Sequence, residues 1–331
     1  MKSVPGGLMS SVTIAIAEGS IGNPSWASIP AEIHGITLKY GPIETVEELV
    51  ATTTGCDALI VSLHKMTAEK LAALPSSIKC LGRLGVGLDS IDLAAARELK
   101  IPVIFQPLYA FNEVANHAAA MMLALHRGIV QATLTTRDGE WKPAIQIAEI
   151  ASSQDSTLGV IGCGRIGRNF IQKMTPFFKN ITGYDPAVKD EIPGVTMVED
   201  LDVLLKQSKF ISMHAPYLPS THHMIGKREL GIMQKGSILV NVSRGGLIDE
   251  AALVDALESG HLDGAGLDVF EQEPLPVDSI LRSTKNLLLS PHIAWYSQSS
   301  GPRLVDWGIT DAYTFITKQK IENGSFATGP F

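Results

Sequence analysis

The stretch LGVIGCGRIGRNFIQKMTPFFKNITGYD, Leu158 to Asp185, decides how the rest of the chain is read. Leu158-Gly159-Val160-Ile161 is a short apolar run fit for a buried parallel strand. Gly162, Gly164 and Gly167 then form a G-x-G-x-x-G turn into a helix that begins near Arg165, and Arg165 and Ile166 are expected with these glycines to bind the cofactor. Gly162 suits the tight turn, Gly164 lets a pyrophosphate approach the backbone, and Gly167 lets helix pack on strand. The helix N-terminus faces the phosphates.

A second apolar run, Asn180 to Tyr184, follows that helix and ends on Asp185. A carboxylate at this strand end accepts hydrogen bonds from both adenosine ribose hydroxyls and repels a 2′-phosphate, which favours NAD(H) over its phosphorylated form. The alternative is that Asp185 only caps the turn before Pro186.

Strand and helix patterns alternate from Leu158 to Leu289, so a doubly wound parallel sheet is expected. A smaller α/β unit precedes it: strands over Val12–Ala17, Ala58–Ser62, Ile78–Arg83 and Val103–Phe105, and helices over Thr45–Thr53, Thr67 onward and Ile91–Glu98. Asn112 to Val130 reads as one long helix, and Gln131 to Gln154 as a helix and a long connection. Its His117 reads as a satisfied buried histidine with no catalytic role. Gln298 to Lys320 is a helix after the sheet is complete and is expected to return to the first unit. The expected architecture is α/β, with two Rossmann-like domains: a discontinuous substrate domain (1–110 and 298–331) and an NAD-binding domain (111–297).

The 331 residues, 45% hydrophobic and 18% charged, describe a soluble globular protein. No apolar run is long enough to span a membrane, and MKSVPGGLMSSV reads as a frayed tail, not a targeting segment. The net charge of −7 and the lack of a basic stripe argue against nucleic acid as a partner. Cys56, Cys80 and Cys163 lack paired spacing and read as core thiols in a reducing cytoplasm. His222-His223 have no third ligand at metal spacing, so a solvated loop is preferred and no metal is expected.

Ligands of open parallel sheets bind beyond the carboxyl ends of the strands. Three such ends carry Arg244, Glu273 and His292. Arg244 can bind a carboxylate and a carbonyl with its planar fork, and His292 can exchange a proton with the carbonyl oxygen. Glu273, bonded to that imidazole, favours its protonated form. Asp268 either contacts the cofactor's carboxamide or makes a structural hydrogen bond.

LGVIGCGRIGR, LVNVSRGGLIDEAALVDALESG, AGLDVFEQEPLP and SPHIAWYS resemble the D-specific 2-hydroxyacid dehydrogenases, from about Ala58 to Thr317. The resemblance implies an active site between two Rossmann-like domains, a homodimer built around the cofactor domain, and Arg244, Glu273 and His292 as the catalytic trio. It also implies cofactor contacts at Asp268, His214-Ala215-Pro216, Val242 and Ser243. SPHIAWYS, VSLHKMT, DGEWKPAIQIAEIASS and THHMIG look like the C-terminal binding protein branch, which includes transcriptional corepressors. On that likeness Arg83 helps hold a substrate carboxylate, Val86 and Gly87 offer backbone N–H groups, Trp295 stacks near a substrate side chain, and His64 lines the pocket. Ser90 in GVGLDSID replaces the family's usual asparagine, and SSQDST lacks the usual basic, glycine-containing lead-in. The expected function is NADH-dependent reduction of a small-molecule 2-oxo acid in the cytoplasm. The alternative is an NAD(H)-sensing dimeric scaffold.

Overall fold

The computed structural model describes residues 11–20, 35–142 and 150–331. The expected frayed tail falls largely outside these residues, as does part of the expected long connection, residues 143–149. Two compact units are present, one from 1–110 and 297–331 and the other from 111–296.

The first unit opens with β1 (Val12–Ala17), β2 (Ile36–Gly41), α1 (Val46–Thr53), β3 (Ala58–Val61), α2 (Ala68–Ala72), β4 (Cys80–Arg83), α3 (Leu93–Glu98) and β5 (Val103–Phe105). Its helices begin where the sequence offers caps: the side chains of Thr45, Thr67 and Asp92 each accept a hydrogen bond from a first-turn N–H. Alternate strand residues Ala15, Leu59, Val61, Leu81 and Val103 pack against Leu49, Leu71 and Ala96 of the three helices. The opposite face is covered by the helix described last below.

The second unit runs through α4 (Phe111–His126), α5 (Ile129–Arg137), β6 (Thr157–Ile161), α6 (Arg165–Met174), β7 (Asn180–Tyr184), β8 (Thr196–Val198), α7 (Leu201–Gln207), β9 (Phe210–Met213), α8 (Lys227–Ile232), β10 (Ser237–Asn241), α9 (Glu250–Glu258), β11 (Leu262–Leu267) and β12 (Leu287–Leu289). Its strands lie in the order β12-β11-β10-β9-β6-β7-β8, and every pairing is parallel. Both faces are buried, as the continuous apolar strands require. Leu158, Val160, Phe210 and Val240 pack on the side of α4 and α6. Ile161, Ile211, Met213 and Leu239 pack on the side of α7, α8 and α9.

The chain then returns to the first unit with α10 (Ser300–Lys318) and β13 (Ser325–Thr328). α10 packs along β1, β3, β4 and β5, and β13 pairs antiparallel with β5, giving the order β13-β5-β4-β3-β1-β2. Both units are thus α/β with Rossmann-like sheets, as the alternating patterns predict.

The expected single helix over Asn112–Val130 is instead two. Gly128, at φ +59, lies between α4 and α5, and a left-handed residue ends an α-helix. The His126 Nε2 atom lies 2.7 Å from the carbonyl of Ala151, which holds the end of α4.

Candidate active site

The glycine turn is built from three different constraints. At Gly162 the backbone has φ +89, and a Cβ there would come within 2.4 Å of the Ala215 nitrogen. A Cβ on Gly167 would meet the Gly162 carbonyl oxygen at 2.0 Å, so helix and turn touch. A Cβ on Gly164 would meet nothing within 4 Å. The middle glycine therefore faces open space, directly over the N-terminus of α6, where no side chain caps the first N–H groups. That is the donor set and the clearance a pyrophosphate needs. Arg165 is exposed beside it and Ile166 is half-buried.

Asp185 follows β7 and is held by two backbone donors, the N–H of Cys163 to Oδ2 and that of Ala187 to Oδ1, each at 2.9 Å. The turn-capping reading is thus realised, and each oxygen keeps a further lone pair for a ribose hydroxyl. The Cys163 thiol is pushed up to about 12, chiefly by burial and then by the charge of Asp185, so it stays a neutral core group.

His214-Ala215-Pro216 lies under this turn. The ring of His214 packs against Phe170, with centroids 4.9 Å apart, and its Nε2 lies 2.9 Å from Ser212 Oγ. Burial pushes this imidazole down to about 3, so it is neutral. Its side chain is committed to the unit's interior, and Pro216 is the exposed member of the three. Val242 is buried, and Ser243 donates through Oγ to the Met213 carbonyl at 3.0 Å.

Beyond β10, the fully buried Asn241 shapes the loop that carries Arg244. Its Nδ2 donates to the Arg244 carbonyl at 2.8 Å and its Oδ1 accepts from the Ser243 N–H at 3.0 Å. Arg244 Nη1 donates to the Ser243 carbonyl at 2.7 Å. Gly245 allows the next contact: a Cβ there would lie 1.8 Å from the Phe270 carbonyl carbon, so the loops after β10 and β11 touch backbone to backbone.

On the second of these loops, Glu273 Oε1 accepts the Phe270 N–H at 3.0 Å and Oε2 lies 2.7 Å from His292 Nδ1. Burial works to raise this carboxyl. The hydrogen bond and charge of His292, the Phe270 N–H and the Arg244 guanidinium outweigh it and hold the group below the usual carboxylate range. An ionised Glu273 can only accept, so Nδ1 carries the proton in this pair and Nε2 has no bond to a described residue. His292 itself stands at φ +54, and its N–H donates to the Asp268 carbonyl at 2.8 Å.

The Asp268 carboxylate is enclosed. Ser290 Oγ donates to Oδ1 at 2.5 Å, the Ile293 N–H to Oδ1 at 2.9 Å and the Ala294 N–H to Oδ2 at 2.8 Å. Of the two roles open to Asp268, the structural hydrogen bond is the one its contacts describe. His117 is satisfied as expected, with Nε2 2.9 Å from Ser290 Oγ.

The profile of the D-isomer specific 2-hydroxyacid dehydrogenase NAD-binding domain matches residues 119–294, more than half of the chain. The chain belongs to this family. It is accordingly an NAD-dependent oxidoreductase acting on a CH–OH group. It is 34% identical to the glycerate dehydrogenase of Methylorubrum extorquens, over 84% of this chain and 88% of that protein. It is 40% identical to the D-3-phosphoglycerate dehydrogenase of Methanocaldococcus jannaschii over 75% of this chain, a match that spans 47% of that longer protein. Among solved structures, the NADPH-dependent glyoxylate/hydroxypyruvate reductase of Sinorhizobium meliloti, in complex with NADP and malonate, superposes with a TM-score of 0.84. It is 27% identical, with 96% of this chain and 97% of that one covered.

The other candidate residues of this dehydrogenase are divided between the two units. Arg83, at the end of β4, is buried and folds its Nη1 onto the Leu84 carbonyl. Val86 and Gly87 follow on the same loop, and their N–H groups donate to no described residue. His64 lies 2.9 Å through Nε2 from the Glu18 carbonyl and 3.4 Å through Nδ1 from Ser20 Oγ. It lines an open groove of about 620 Å³ with Glu44, Leu63, Lys65 and Lys70. Trp295 belongs to the second unit and stacks edge-on to Tyr296 at 4.4 Å. His222 and His223 stack at 3.9 Å, and His223 Nε2 sits 2.9 Å from Glu271 Oε1. Among the described residues no cluster suited to a metal ion is present.

Sequence reading passed over Asn241 and Ser290. Asn241 carried a usable signal, a polar residue in the apolar run SILVN, because a buried amide must be bonded to something nearby. Ser290 beside Pro291 gave none, since serine at a strand end is ordinary.

Proposed function

We propose that this dehydrogenase reduces a short 2-oxo acid, of the glyoxylate or hydroxypyruvate class or a bulkier analogue, to the D-2-hydroxy acid with NADH. The observation that carries the reading is the 2.7 Å pair of His292 Nδ1 and Glu273 Oε2, which stands beside Arg244 and leaves Nε2 without a bond to any described residue. Bound NADH would supply the two electrons and one hydrogen. Arg244 holds the substrate carboxylate and draws charge toward the carbonyl oxygen. His292 delivers the Nε2 proton to that oxygen, and Glu273 keeps the ring oriented through the Nδ1 contact. Asp185 supports NADH as the preferred donor because a 2′-phosphate would meet its charge.

A homodimer is part of the proposal. α5 buries none of its side chains, with Ile129 and Leu134 each 55% exposed, and Trp141 beyond it is 94% exposed. An apolar helix face of this kind is covered in a stable oligomer. Among the described residues no helix is long and apolar enough to cross a membrane.

The test follows NADH absorbance against a panel of 2-oxo acids from glyoxylate to phenylpyruvate, with NADPH in parallel. His292→Ala is expected to lower kcat by about 10²–10⁴-fold. Arg244→Ala is expected to remove reduction while NADH still binds. Unchanged turnover in Arg244→Ala would overturn that residue's role. Tight NADH binding without turnover of any acid would favour the sensing scaffold.

A further inference from the structure

We infer that His117 of α4 is a positioning residue for His292, acting through Ser290 and Asp268. The kinetic side of this inference rests on the dehydrogenase reading above. The geometry stands by itself.

Ser290 has one hydroxyl hydrogen, and it is spent on Asp268 Oδ1 at 2.5 Å. The 2.9 Å contact between Ser290 Oγ and His117 Nε2 therefore has the imidazole as donor. The direction of the chain is fixed: His117 Nε2–H to Ser290 Oγ–H to Asp268 Oδ1. Asp268 in turn takes the N–H groups of Ile293 and Ala294, and its carbonyl takes the N–H of His292. Ser290 on one side of His292 and Ile293 and Ala294 on the other are thus tied to one carboxylate.

That carboxylate has a side-chain exposure of 1%, and His117 Nε2 lies 3.6 Å from its Oδ1. Among the described residues, His117 is the one Lys, Arg or His side chain within 4.0 Å of it. A buried carboxylate needs donors and, where one can be placed, a positive partner. His117 supplies the donor that orients Ser290 and stands where a counter-charge is wanted. It does so from a rigid support, because Ala115, Ala118, Met121 and Met122 of α4 are buried in the unit's core.

His292 needs such a clamp because its backbone is left-handed at φ +54, a conformation that a non-glycine residue keeps only when its surroundings enforce it. Without the His117 donor, Ser290 is free to rotate off Asp268 and the turn loosens. Displacement of a proton donor by about 1 Å is enough to cost on the order of 10²-fold in rate.

The test compares His117→Ala, His117→Gln, Ser290→Ala and the double variant His117→Ala/Ser290→Ala in the full chain. The readouts are kcat and KM for the best 2-oxo acid, NADH affinity, and hydrogen exchange of the Ile293 and Ala294 amides with Val160 as an internal control. His117→Ala is expected to lower kcat by about 10–100-fold with KM and NADH affinity within about twofold. His117→Gln, whose side-chain amide can donate to Ser290, should recover most of that loss. The double variant should be no worse than the worse single one, since both break one chain. The Ile293 and Ala294 amides should exchange about tenfold faster in His117→Ala while Val160 does not change.

Unchanged exchange at Ile293 and Ala294 would overturn the inference. So would a fall in kcat accompanied by equal changes in KM, NADH affinity and Val160 exchange, which is the mark of a loosened unit. If His117→Ala does not fold, Ser290→Ala carries the same expectations. If the unsubstituted protein turns over no 2-oxo acid, the dehydrogenase reading fails while the exchange data still decide the clamp.

Discussion

Two aspartates, Asp268 in the cofactor unit and Asp311 in the other, are both 0% exposed and do the same physical work. Asp311 accepts the N–H groups of Glu322, Asn323 and Gly324 and the side-chain amide of Gln106 at 2.7–3.0 Å. It thereby holds the turn that leads from α10 into β13. Asp268 holds the turn from Ser290 to Ala294. The first turn carries only chain direction, whereas the second lifts His292 to the surface beside Glu273. A buried, fully bonded carboxylate therefore does not by itself mark a site; the side chain its turn presents does.

The largest effect expected from breaking this comparison is in activity. Asp268→Ala and Asp311→Ala should each lower stability by about 3–5 kcal/mol, because each strands buried N–H donors. Only Asp268→Ala should also remove turnover, by about 10³-fold in molecules that remain folded. Urea melts alongside kcat per folded molecule would read both quantities, and an equal kcat loss in Asp311→Ala would collapse the distinction.

A smaller effect isolates what the Asp268 turn presents. Glu273→Gln should lower kcat by about 10²-fold and leave NADH binding intact. Its pH dependence has a definite sign. The carboxyl is held low in the folded protein, so its contribution to stability is present above the ordinary carboxylate pKa and fades as pH falls through the folded value. An acid-stability profile in Glu273→Gln identical to that of the unsubstituted protein would show that this carboxyl is not held low by its partners.

The smallest effect concerns acid stability of the cofactor unit. His214 has a folded pKa of about 3 against an ordinary 6.5, so the stability it gives is full above 6.5 and is lost as pH falls toward 3. By pH 4.5 the loss should be about 2–3 kcal/mol. His214→Gln should flatten that part of the curve in circular-dichroism melts, and an equally steep acid loss would assign it to other groups.

Much of this was legible in residues that repeat a physical rule. The strand–glycine–helix–strand order from Leu158 to Asp185 and the helix start at Thr67 are local, and local geometry is written in local sequence. Strands β2, β8 and β13 were not read. ITLKYG is half-buried and charged at Lys39, TMV is three residues at a sheet edge, and SFAT is antiparallel, so none shows the apolar run of a central strand. The long helix over Asn112–Val130 was over-read because one glycine in an alanine-rich run is a weak break until its φ is known. At the site, the types and order of Arg244, Glu273 and His292 could be seen from strand ends. Asn241 shows in the sequence only as a polar residue in an apolar run, and the links from Ser290 and His117 to Asp268 do not show at all, because they depend on which elements are neighbours in space.

The pairing of β13 with β5 has a consequence for how the protein is made. The cofactor unit is one uninterrupted segment and can fold as soon as residue 296 has left the ribosome. The other unit contains β1, yet it lacks α10 and the edge strand β13 until residue 328 has been added. Throughout that interval β5 is an open sheet edge with an apolar face uncovered. Chaperone demand should therefore be set by this discontinuous unit, whose sheet closes only after the cofactor unit is complete.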